Sequence, residues 1–121
     1  MPHTIRLSPD GTYVILKVTG EIDTRTAMAQ NMEANAFAKK HGVRKYLVDL
    51  VECRNVQSDL DNYAFAYEDM MNAPVDREAR IVFLVHPDDH SHDFVETVSR
   101  NAGLDVTLFR DRALAEAHLR D

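Results

Sequence analysis

Residues 80–120 read RIVFLVHPDDHSHDFVETVSRNAGLDVTLFRDRALAEAHLR, and the order of patterns in this stretch decides the fold. After its leading arginine, the run Arg80–Val85 is apolar on both faces. A strand with no polar face must be covered on both sides, so it belongs in the middle of a sheet. The polar run His86–Asp93 then leads into a helical segment, FVETVSRNA, stopped by Gly103. DVTLF is a second β-type run, and RALAEAHLR is a second helical one. Strand and helix alternating at this spacing imply parallel strands joined by right-handed crossovers.

Upstream, TIRL and TYVILKV flank SPDG. Proline presets φ, aspartate forms an Asx turn and glycine tolerates positive φ, which predicts a hairpin. Gly20 is expected to end its second strand. A helix over Thr24–His41 follows, capped by Asp23 or Thr24 and stopped by Gly42, with Lys39, Lys40 and His41 at the negative end of its dipole. KYLVDL reads as a buried strand, and SDLDNYAFAYEDMMN as a helix ended by Pro74. The expectation is a single wound α/β domain spanning residues 1–121. It would have four helices and a mostly parallel five-stranded sheet, with the N-terminal hairpin strand antiparallel at the edge. Ligands of such sheets bind beyond the carboxyl ends of the strands, where the loops GEID, VECRNVQS and HPDDHSHD would gather.

Composition narrows the function. The net charge is −6 and no Lys/Arg block is present, which argues against binding to nucleic acid. The longest apolar run, IVFLV, is far too short to cross a membrane. Cys53 is the only cysteine, so no disulfide forms within the chain. The N-terminal residues lack the basic start and apolar stretch of a signal peptide, and a cytoplasmic location is expected.

Three stretches carry a family resemblance. VTGEIDTRTAMAQ resembles the G-E-[IL]-D approach to the first helix of STAS domains, the fold of the anti-sigma factor antagonists, and YLVDL resembles their next strand. The tail FVETVSRNAGLDVTLFRDRALAEAHL is similar to the SpoIIAA-like branch. The resemblance implies a regulatory or protein-binding module without catalysis and without a cofactor. It implies a strand-end role for Asp49, bonding loop amides. It also implies a phosphorylatable serine where the helix after the V-D-L strand begins; the segment there is ECRNVQSDLD, with Ser58 as its hydroxyl. The fold is similar to that of Sec14-type lipid carriers, which makes carriage of a small apolar ligand the alternative.

The candidate residues have competing readings. Ser58 fits an N-cap, worth about 1 kcal/mol, as well as a phosphosite. In its helix Phe65 falls among acidic residues, away from the apolar face. With Tyr63, Tyr67 and Met70 it marks a candidate homodimer contact or the lid of an apolar pocket. His86, His90 and His92 suit a first-row metal by ligand type. The plain reading of their loop ends the strand at Pro87, solvates the turn with Asp88 and Asp89, and caps the next helix with Ser91 or Asp89. Cys53 and His86 make the one nucleophile–base pair the topology brings near, the basis of a third reading as an enzyme.

Overall fold

The structure, a computed structural model, describes residues 3–22, 24–55, 78–90, 92–101 and 103–120. The elements in chain order are β1 (His3–Leu7), β2 (Val14–Ile22), α1 (Thr24–His41), β3 (Lys45–Asn55), β4 (Arg80–Val85), α2 (Asp93–Asn101), β5 (Asp105–Phe109) and α3 (Arg112–Arg120). The five strands lie side by side in sequence order.

This corrects the expected four-helix, mostly parallel domain. The sheet is mixed: β1 runs antiparallel to β2, while β2–β3, β3–β4 and β4–β5 pair in parallel. A tight turn can join strands only in antiparallel fashion, whereas each parallel pair needs a crossover. Three helices occur among the described residues. The helix expected from Ser58, with Tyr63, Phe65, Tyr67 and Met70, lies outside them.

The turn is built as its residues dictate. Ser8 Oγ donates to Asp10 Oδ1 at 2.7 Å and accepts from the Thr12 and Tyr13 amides, while Gly11 takes φ +72°. Helix α1 ends in a Schellman motif: Val43 N–H reaches Ala38 O and Gly42 N–H reaches Lys39 O, with Gly42 at φ +69°.

Alternation along β2 separates two cores. Val14, Leu16 and Val18 face α1, whose Ala34 and Ala38 allow close approach to the sheet. Tyr13 and Ile15 face α3, packing with Leu47, Val82, Leu84, Ala115 and Leu119. Crossovers of one hand between strands in sequential order place their helices on one face. Helix α3 follows the last strand and is free to cover the other. It starts at an N-cap, Asp111, whose Oδ1 accepts from Leu114 N–H at 3.1 Å. Its far end is held by Arg120, which bonds Asp10 at 2.9 Å and lies 5.7 Å over the Tyr13 ring. Among the described residues no helix is long and apolar enough to cross a membrane.

Candidate functional site

The carboxyl edge of the sheet is shaped by one irregularity. Lys17 pairs with Asp49, but the next registered pair is Thr19 with Glu52, so Val18 faces two residues of β3, Leu50 and Val51. This bulge reverses the alternation of β3: without it Cys53 would point to the α3 side, yet it packs in the core under α1. Asp49 holds the bulge. Its Oδ1 accepts from Val51 N–H at 3.2 Å, and its Oδ2 accepts from Arg112 Nη2 at 2.7 Å. The strand-end role expected for Asp49 is therefore corrected. Pairing with β2 carries β3 on to Asn55, so the carboxylate serves a mid-strand bulge and fastens α3.

The loops expected from GEID and VECRNVQS are likewise mostly strand. β2 continues through Gly20, which takes φ +88° opposite Cys53, and ends at Ile22. β4 stops at Val85, opposite Leu50, so the last part of β3 has lost that neighbour. An open depression of about 340 Å³ lies there, lined by Gly20, Val51, Glu52, Cys53, His86, Asp88 and Asp89.

The loop after β4 folds back on this ribbon. His92 is buried, and its Nε2–H donates to the Cys53 carbonyl at 3.1 Å. Asp89, also buried, brings Oδ2 within 3.6 Å of the same nitrogen. Asp89 thus does not solvate the turn as expected, because it is drawn under the sheet edge with the ring it accompanies. Asp93 opens α2 and accepts from Arg110 Nη2 at 2.7 Å through Oδ1 and from His90 Nδ1 at 2.9 Å through Oδ2. Burial opposes ionisation of Asp93, but the bonds from His90 and Arg110 outweigh it and hold the carboxyl below its usual range. Arg110 Nη2 also donates to Asp89 O at 3.2 Å, so its two protons are used. Its 3.0 Å approach to His90 Nδ1 is then a packing contact, since that nitrogen donates to Asp93.

The three histidines proposed as ligands sit in one loop with three separate tasks. His86 Nδ1 accepts from Asp88 N–H at 3.1 Å, His90 pairs with Asp93, and His92 holds the Cys53 carbonyl. Among the described residues no three His, Cys, Asp or Glu side chains converge as metal ligands. Cys53 and His86 do line the same depression. Burial first, and then the charge of Asp89, push the Cys53 thiol up to about 11. A thiol at that value is protonated near neutrality, and only the thiolate is a nucleophile.

Arg110 and Arg112 were not singled out from the sequence. The signal was present in FRDR, since residues just after a parallel strand emerge at the same edge as HPDDHSHD.

No family model and no curated protein sequence matches the chain. Five solved chains match it by structure. One is an uncharacterized protein of the DUF3478 family with a SpoIIAA-like fold, from Shewanella loihica PV-4. It superimposes with a TM-score of 0.54 over 98% of this chain and 92% of its own, at 16% sequence identity. That identity carries the architecture alone. The superposition over nearly the whole chain shows that this chain has a SpoIIAA-like fold.

Proposed function

We propose that the protein is a non-catalytic regulatory module of SpoIIAA-like type, cytoplasmic, which binds another protein at the carboxyl edge of its sheet. The observation that carries this reading is the state of that edge. Its one thiol is held protonated, its buried His92 is committed to a backbone carbonyl, and the depression between β3 and the β4–α2 loop is open. Enzymes keep a nucleophile or base poised in such a place. A broad, shallow surface rimmed by Glu52, His86 and Asp88 suits a partner's surface better than a small substrate.

Ser58, Tyr63, Phe65, Tyr67 and Met70 lie outside the described residues, so the phosphosite and the apolar-ligand alternative rest on sequence pattern alone. The test is a comparison of Glu52→Lys with Asp88→Lys against wild type in quantitative crosslinking from the native host. A partner crosslinked to the β3 ribbon in wild type and depleted in both variants supports the reading. A turnover activity that survives purification and disappears in Cys53→Ala sinks it.

A further inference from the structure

Among the described residues, several strand groups outside the sheet's ladders are bonded by the chain's own atoms. At the β5 edge, Leu108 N–H is bonded by the Glu96 carboxylate of α2, and Val106 N–H by Leu104 O at 3.2 Å. Beyond the end of β4, Val51 N–H is held by Asp49 and the Cys53 carbonyl by His92. Strand β1 is different. Ser8 N–H bonds Tyr13 O at 2.8 Å, which fixes the phase of the antiparallel ladder. Arg6 and Thr4 therefore bond inward to Ile15 and Lys17, and the N–H and C=O groups of Ile5 and Leu7 point away from the sheet. The strand has no proline or lysine, two of the usual guards of an exposed edge; its charged groups are Arg6, on the exposed face, and His3, which pairs with Glu33.

We propose that this edge pairs antiparallel with β1 of a second copy about a two-fold axis at Ile5, joining the two sheets into one. This goes beyond the proposed binding function and stands apart from it. The strand is self-complementary: with Ile5 opposite Ile5, His3 meets Leu7 and Thr4 meets Arg6, so all outward-pointing residues fall in phase and no like charges face each other. Charge on α1 fits the same axis. Glu33 bonds His3 at 2.9 Å, which places this flank of the helix over the β1 edge. Lys40 follows seven residues on, about 10 Å along the helix and within about 20° of the same face. The span from His3 to Leu7 is about 13 Å, so the two-fold sets Glu33 of each copy beside Lys40 of the other. Five-residue strands bury little surface, and the dimer is a weak one.

Sedimentation over a concentration series tests this. Wild type dimerises reversibly. Thr4→Arg, at an exposed position, sets guanidinium against Arg6 twice per dimer and weakens association about tenfold. Adding Arg6→Glu to Thr4→Arg restores it. Hydrogen exchange reads the same contact: the Ile5 and Leu7 amides become protected as concentration rises, while Arg6 does not change. A wild type that stays monomeric to about 1 mM overturns the proposal. So does a dimer indifferent to Thr4→Arg, including one that Phe65→Glu dissolves instead.

Discussion

Two side chains show how far local contacts move ordinary chemistry. Cys53 is 3% exposed, and its thiol is pushed from an ordinary 9.0 up to about 11. A shift of that size lowers the thiolate fraction near pH 8 about 100-fold. Iodoacetamide should therefore alkylate the folded protein at least about 100 times more slowly than the urea-unfolded chain; comparable rates would mean the thiol is exposed. Asp10 moves the other way. The Ser8 hydroxyl donates to it first, then Arg120 and the Thr12 amide, and its carboxyl is held far below the ordinary 3.8. A lowered carboxylate contributes stability above its unfolded value, and that contribution is lost as pH falls below it. Wild type should melt above Asp10→Asn at pH 7, and the gap should narrow as pH drops below about 4. A gap constant down to pH 2 would show that the contacts of Asp10 do not depend on its charge.

At the scale of elements, the bulge in β3 links α3 to the edge where the candidate site lies. Asp49 is 4% exposed and satisfies both the free Val51 amide and Arg112. Asp49→Ala leaves the amide without its acceptor and should cost about 1–3 kcal/mol in urea unfolding. It should also speed Cys53 alkylation, because the bulge is what turns that side chain under α1. Stability lost without any change at Cys53 would mean that the bulge survives on β2 pairing alone. Arg112→Ala should cost less, since about half of that side chain is already in solvent and its charge is screened. The β5 edge offers a parallel case. Glu96→Ala frees the Leu108 amide, so light scattering on mild heating should rise above wild type, with stability lowered by about 1–2 kcal/mol. Equal scattering would show that the edge is guarded by something else.

For the whole molecule, charge and strand order act together. A net charge of −6 repels a second copy at long range. Screening shrinks that repulsion within about 8 Å at physiological salt, while strand pairing is barely affected. Association through β1 should therefore strengthen from 20 to 300 mM salt, as sedimentation would show. Weakening with salt would point to an interface dominated by the Glu33 and Lys40 pairs. The two edges of the sheet are unequal because α2 reaches over β5, whereas β1 enters from a hairpin and no strand pairs beyond it among the described residues.

Much of this was legible along the chain. Periodicity placed the three described helices and all five strands: two-sided apolarity marks β4 as covered, SPDG forms the hairpin turn, and Gly42 and Gly103 stop helices at positive φ. Such features depend on residues within a few positions of each other, so local sterics and burial suffice to specify them. The lengths of β2 and β3 were not legible, since GEI and VECRN extend as strands only because each pairs with the other. Nor was the fate of the loop histidines. In sequence His86, His90 and His92 are equivalent polar residues, and only the folded edge buries His92 against the Cys53 carbonyl while leaving His86 and His90 exposed. Arg110 and Arg112 found Asp93 and Asp49 across 17 and 63 residues of chain. Hydrogen-bond partners that distant are brought together by the fold, and no local pattern encodes them.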